Sequence, residues 1–373
     1  MRILVLTKRQ YTGKDLLDDR YGRLYELPAS LAARGHDVAG LAWSYRRRGT
    51  SCRQGDGVSW WSADAWPIPF SHRQRLFEIV ASFRPQVIWA SSDVPHIVYA
   101  AHLRKRLGLP VVADIYDDYE SFRLTALPGL SRLFRRACAK VDALSVVSHT
   151  LAMTIKARAP KASMIHIIGN GVPEMFGKMS ARDEARRRLG LPFHAKLIGT
   201  AGALDSSRGI NDLFQAFDLL RARLPDARLV IAGPRDHTTA RALGERMIDL
   251  GVIPHSDIPW LYSALDVGVV CNRDSAFGRA CYPQKLVEMI ACELPVVVAG
   301  VGDAVTLLRA YPDSVYPPGD SVALAQRLEA QLISATRVPV TLARKWSTLS
   351  ADLEAVLQKA VDSYHGVHAS PGI

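Results

Sequence analysis

Short apolar runs alternate with longer amphipathic stretches along this chain, and the alternation runs through twice. Parallel strands need a crossover of a dozen or more residues, normally a helix, so the pattern predicts two α/β halves, each with a parallel sheet. In the first half, strands are expected at 2–7, 38–43, 87–90, 110–115, 143–147 and 164–168. Helices are expected at 24–34, 72–83, 96–107, 131–141 and 150–157, with Gly35 and Gly108 where C-terminal caps belong. The second half predicts strands at 196–201, 228–231, 251–253, 267–271 and 295–298. Its helices are expected at 210–222, 238–250, 258–265, 284–292 and 322–334, and the tail 349–364 is helical again. The expected domains are 1–172, joined by the tail helix 349–365, and 196–348. Residues 173–195, charged and proline-bearing, read as their connection. Two such halves on one hinge are expected to face a cleft, with ligands beyond the carboxyl ends of the strands.

A chain of 373 residues with 48% hydrophobic and 22% charged residues is ordinary globular material. Its net charge of +11 favours an anionic partner, whether a phosphorylated small molecule, an acidic membrane surface or nucleic acid. No nucleic-acid-binding module is recognisable, so nucleic acid is not an expected partner. The five cysteines form no Cys-x-x-Cys pair and read as reduced thiols of a cytoplasmic protein. The apolar run after Met1 is too short for a signal peptide, and no stretch approaches the ~20 apolar residues of a bilayer span. Any membrane association is therefore expected to be peripheral, on the inner face.

Four segments carry chemistry. The loop Gly202-Ala203-Leu204-Asp205-Ser206-Ser207-Arg208-Gly209 opens a helix, where backbone N–H groups attract phosphate and Arg208 adds a guanidinium; the alternative is a surface turn with a solvated arginine. In Tyr282-Pro283-Gln284-Lys285-Leu286-Val287-Glu288, Pro283 suits a first helical turn, and Lys285 and Glu288 share one face. That pair fits a diphosphate and ribose hydroxyls, or a plain surface ion pair. Four carboxylates, Asp114, Asp117, Asp118 and Glu120, end a strand; they would repel if all were buried, so most are expected to be exposed. Their spacing fits no metal motif. The basic, aromatic segment from Tyr45-Arg46-Arg47-Arg48 through Trp60-Trp61, Trp66, His72, Arg73 and Arg75 fits an anionic membrane or acceptor, or else a solvated face over core tryptophans. The first loop lacks Gly-x-Gly-x-x-Gly, and no Gly-x-Ser-x-Gly is present, which disfavours a dinucleotide enzyme and an α/β-hydrolase.

These pieces, with Tyr21-Gly22-Arg23, Arg84-Pro85-Gln86-Val87-Ile88, Gly169-Asn170-Gly171-Val172 and Val230-Ile231-Ala232-Gly233, resemble the retaining glycosyltransferases of family 4, over nearly the whole chain. The resemblance implies an α/β GT-B fold, two Rossmann-like parallel-sheet domains facing a central cleft. It also implies transfer of a sugar from a nucleotide-diphosphate donor to a glycan or lipid-linked acceptor, in cell-surface polysaccharide or glycoconjugate synthesis. It places Gly22 near the donor's sugar and diphosphate, Gly202, Arg208 and Lys285 on the phosphates, and Glu288 on ribose. Tyr116 and Asp117 would orient acceptor or sugar, and Arg46, Arg47, Trp60 and Trp61 would lie on the acceptor side. With Arg208 and Lys285 supplying positive charge, no metal or other cofactor is expected. Three positions depart from the family: Ala280 where the first glutamate of its motif falls, Ala203 in place of a frequent arginine, and Tyr116 in place of a cleft histidine. These departures keep open an inactive binding protein or a sugar-nucleotide epimerase.

Overall fold

The computed structural model describes residues 1–11, 13–65, 70–122, 125, 127–177, 181–241 and 244–368. They form two compact units: Met1–Gly169 with the C-terminal helix Trp346–His368, and Asn170–Lys345.

The first unit holds an eight-stranded sheet. From edge to edge run Ile165–Ile167, Ala143–Val146, Val111–Ile115, Val87–Ser91, Arg2–Lys8, Asp37–Ser44, Val58–Asp64 and Ser51–Gly55. Every neighbour pair is parallel except the last, an antiparallel hairpin. Every residue of Val87–Ser91 and Val111–Ile115 is buried, as expected when helices cover both faces of a parallel sheet. The C-terminal helix contributes Trp346, Leu349, Leu353 and Leu357 to the same core as Leu24, Leu27 and Leu31 of helix Arg23–Ala33. Arg34 and His36 both reach Glu354 on its outer side.

The hairpin falls inside the segment read from sequence as a basic surface. Asp56 and Gly57 supply its turn, both at positive φ, which a type I′ connection requires. Trp60 is 1% exposed, and its ring covers Gly40 so closely that a Cβ there would lie 2.2 Å away. Trp60 is therefore a packing residue, not an acceptor contact. Trp61 is half-buried on the other face, and Arg46 and Arg47 are exposed. Trp66 and the side chain of His72 lie outside the described residues.

The second unit has six parallel strands in the order Met247–Asp249, Ala227–Ala232, Lys196–Ala201, Val267–Val270, Val296–Ala299 and Val315–Tyr316. Alternate residues feed two cores: Leu197, Val230, Val270 and Val296 one of them, and Ile198, Leu229, Ile231 and Val297 the other.

Three further sequence expectations differ from the structure. Residues 173–195 are not a free connection. Phe176, Ala185 and Leu191 sit in the core, and helix Arg182–Arg188 is anchored by the fully buried Arg186. Its guanidinium donates to the carbonyls of Ala264 (2.9 Å) and Phe193 (2.6 Å) and to Asp266 (2.9 Å), the pairing that a buried charge demands. The expected helix 238–250 is a short helix His237–Arg241, and the strand placed at 251–253 is Met247–Asp249, paired beside Ala227–Ala232.

Candidate functional site

In each sheet the strand order reverses beside one central strand, and ligands of open α/β sheets bind at the carboxyl ends there. In the second unit that strand is Lys196–Ala201, flanked by Ala227–Ala232 and Val267–Val270. Gly202 leaves it at φ +95°, its N–H donating to Ala232 O at 2.8 Å. Gly233 follows the neighbouring strand at φ +132°, where a Cβ would meet Gly202 O at 2.2 Å. Two glycines thus let the loops cross at backbone contact.

Against this crossing lies Lys285, in the first turn of helix Gln284–Ala291; Pro283 caps that helix. A Cβ on Gly202 would come within 3.0 Å of Lys285 Cε. Among the described residues, Lys285 Nζ has no hydrogen bond or ion pair. Burial pushes the ammonium below the usual lysine range; Cys271 opposes this and Arg208 adds to it. Arg208 closes the one-turn helix Ser206–Arg208, its Nε 3.3 Å from Asp205 and its guanidinium 5.2 Å from the Phe277 ring centre. Glu288, one turn beyond Lys285, is 5% exposed, and its Oε1 is buried with no hydrogen-bond donor among the described residues. His255 Nε2 is 3.7 Å from it, a neighbour that sequence reasoning missed. The same helix start is fixed by Gln284, whose side-chain amide donates to Gly171 O (2.6 Å), and by Asn170, whose amide donates to Tyr282 O (3.1 Å). Gly202, Arg208, Lys285 and Glu288 therefore come together at the carboxyl end of this sheet.

The first unit collects another group at the ends of Arg2–Lys8, Val87–Ser91 and Val111–Ile115. Gly22, at φ +76°, caps helix Arg23–Ala33, and a Cβ there would lie 2.5 Å from the Tyr11 ring. Tyr11 meets Tyr116 edge-on at 5.4 Å, and Tyr116 meets Tyr119 likewise at 5.6 Å. Among the described residues the Tyr116 hydroxyl is buried without a hydrogen-bond partner, and burial holds it well above the usual phenol range. Asp117 Oδ1 accepts from Asp118 N at 2.8 Å.

The carboxylates here correct the expectation of exposure, because arginines were left out of it. Asp114 is fully buried, gripped by Arg23 through two bonds of 2.9 and 2.6 Å and by the hydroxyls of Ser91 and Ser145, each at 2.7 Å. Asp118 pairs with Arg158 (2.6 Å) and Glu120 with Arg135 (2.9 Å).

Sequence reasoning also missed Lys8, Asp93 and His96. His96 Nδ1 is 2.6 Å from Asp93 Oδ1. Burial opposes ionisation of Asp93, yet His96 and Lys8 hold it below the usual carboxylate range. Burial lowers Lys8 despite Asp93 and Asp117. The signal lay in Asp93-x-x-His96, spaced one helical turn just after a strand. Among the described residues, no group of three or more His, Cys, Asp or Glu is placed to hold a metal ion, and no helix is long and apolar enough to cross a membrane.

Comparison with known proteins adds two family matches. The model of Glycosyltransferase Family 4 matches residues 23–174, and that of Glycosyl transferases group 1 matches residues 195–333. TuaC of Bacillus subtilis, a glycosyltransferase named for teichuronic acid biosynthesis, is 25% identical over 65% of this chain and 60% of its own. The D-inositol 3-phosphate glycosyltransferase of Thermobispora bispora is 25% identical over 83% of this chain and 69% of its own; a Catenulispora acidiphila protein of that name, with the suffix 1, is 31% identical over 54% and 53%. The chain thus spans from about half to about two thirds of the length of these relatives. Among solved structures, sucrose-phosphate synthase of Thermosynechococcus elongatus and Anabaena HepE in complex with UDP each superpose with a TM-score of 0.70 at 18% identity, over 99% of this chain and 98% of theirs. Both show the shared fold.

Proposed function

The chain belongs to glycosyltransferase family 4, and on that premise we propose that it moves a sugar from a nucleotide-diphosphate donor to an acceptor hydroxyl, with retention at the anomeric carbon. The observation that carries the donor side is Lys285 lying across Gly202 with no hydrogen bond or ion pair among the described residues, and with Arg208 in its electrostatic range. In the reaction the bond from the acceptor oxygen to the anomeric carbon forms as the bond to the diphosphate breaks, and the leaving phosphate takes the acceptor's proton. Charge accumulates on the diphosphate, where Lys285, Arg208 and the amides of the Gly202 loop stabilise it without reorganising. The unsatisfied Oε1 of Glu288 accepts from ribose hydroxyls. HepE, solved with UDP and with UDP-glucose, supports a donor of that class. Tyr116 and Asp117 orient the acceptor, and Gly22 lets the chain approach the sugar. The acceptor is a glycan or lipid-linked hydroxyl at the inner membrane face, for cell-surface polysaccharide or glycoconjugate synthesis; the name of TuaC is in line with a glycan. No metal is required where two cations meet the diphosphate.

Ala280, 3% exposed, offers no carboxylate to the transferred sugar, and this observation favours the second reading, a sugar-nucleotide-binding protein without transfer. Incubation with a panel of nucleotide sugars and acceptors separates the two. Acceptor-dependent release of nucleoside diphosphate is expected, whereas conversion of the donor with no acceptor present marks an epimerase. Arg208→Ala and Lys285→Ala are each expected to lower turnover about 10²–10³-fold; near-normal turnover in both refutes the mechanism. The anomeric configuration of the product, read by NMR, tests retention.

A further inference from the structure

Helix Leu130–Cys138 has two unlike faces. Phe134, Ala137 and Cys138 are buried, while Arg132, Leu133 and Arg136 face solvent. An open groove beside it is lined by Arg132, Arg135 and Arg136 and, from a neighbouring turn, Pro160 and Lys161. Arg135 is held by Glu120. Among the described residues, Arg132, Arg136 and Lys161 have no ion-pair partner, and all three are exposed. Leu133 (48% exposed) projects from the helix and Leu127 (57%) from the turn before it. Clustered cations repel one another, and protruding leucines gain nothing from water. An anionic surface with an apolar layer beneath answers both, as basic amphipathic helices do at membranes.

We propose that this face seats the first unit on an anionic phospholipid bilayer, the guanidinium groups and Lys161 on lipid phosphates and the two leucines at the acyl boundary. The inference builds on the membrane-proximal acceptor proposed above, but its readout needs no sugar transfer, so either can fail alone. The breadth of the open groove and the leucines favour a bilayer over a soluble phosphate.

The test is co-sedimentation of the full chain with phosphatidylcholine vesicles and with phosphatidylcholine–phosphatidylglycerol vesicles. Binding is expected only to the second, weakening with salt. The triple variant Arg132→Ala, Arg136→Ala, Lys161→Ala is expected to lose on the order of a hundredfold in partitioning. The charge-keeping Arg132→Lys, Arg136→Lys pair retains most of it, which separates charge from misfolding. Leu133→Ser lowers binding several-fold with the salt dependence unchanged. Wild-type protein that ignores anionic vesicles overturns the proposal, as does a triple variant that binds like wild type, or a loss found in Arg46→Ala, Arg47→Ala instead. Inorganic phosphate that raises the melting temperature through Arg132 and Arg136, without vesicle binding, overturns it in favour of a soluble-anion site.

Discussion

Lys285 runs across the face of Gly202, its Cε 3.0 Å from where a side chain would begin. The lysine reaches the strand end because residue 202 has no Cβ, and the loop can turn there because φ is +95°. Gly202→Ala is therefore expected to cost about 1–2 kcal/mol of stability from the backbone alone and to displace Lys285. Calorimetry should show weaker nucleoside-diphosphate binding than the stability loss accounts for, and unchanged affinity would separate Lys285 from the donor site.

The lowered titration of Lys285 sets a pH dependence. Its cause is burial, which disfavours the ammonium, and a bound diphosphate restores the proton. Nucleoside-diphosphate affinity should fall as pH rises through the lowered value, beginning below the ordinary 10.5. Between that value and 10.5 the unfolded chain binds the extra proton, so the free protein should gain stability as pH rises. Lys285→Met should abolish the binding trend and raise the melting temperature of the free protein. Thermal-shift curves across alkaline pH, with and without nucleotide, check both signs.

Glu288 holds a buried carboxylate oxygen with no donor among the described residues. If ribose supplies that donor, Glu288→Ala should weaken a ribonucleoside diphosphate roughly ten- to hundredfold, the worth of a hydrogen bond to a charged group. Its 2′,3′-dideoxy analogue should be nearly unaffected. Equal losses for the two ligands would assign Glu288 a packing role.

Arg23 and Asp114 are both fully buried, and Arg23 also donates to the carbonyls of Ile168 (2.7 Å) and Gly169 (2.8 Å). Removing one partner strands the other charge. Arg23→Ala is expected to cost about 3–5 kcal/mol, seen as a large drop in the urea midpoint. Arg23→Lys should recover little, since a single ammonium cannot reproduce the forked contacts.

The alternation of apolar runs made both sheets legible, because a strand covered on both faces is apolar at every position and little else of that length is. Asp56-Gly57 is a plain hairpin signal masked by the arginines around it, so the sequence leaves Trp60 open between an acceptor contact and a core tryptophan. Residues 173–195 looked like a linker because a helix rich in arginine carries little apolar signal; only the carbonyls converging on Arg186 reveal its burial. Lys285 and Glu288 could be picked out by helical spacing. His255 and Asp93 could not be joined to Glu288 and Lys8 by any sequence rule, since the members of each pair sit on separate elements well apart in the chain.

The first unit is completed by residues the ribosome makes only after the whole of the second. Its core lacks Trp346, Leu349, Leu353 and Leu357 until helix Trp346–His368 emerges. All of the Asn170–Lys345 unit comes out before then. That unit closes on itself where Val172 N–H meets Arg344 O at 3.0 Å and Lys345 Nζ reaches the carbonyl of Phe176 at 2.7 Å. At roughly 5–20 residues per second the nascent first half waits on the order of ten seconds or more with an apolar flank uncovered. In a cell, that interval is when chaperones and proteases have their chance at this protein. Trimming the last turns of helix Trp346–His368 should then lower its yield by prolonging that exposure, even with every candidate donor residue intact.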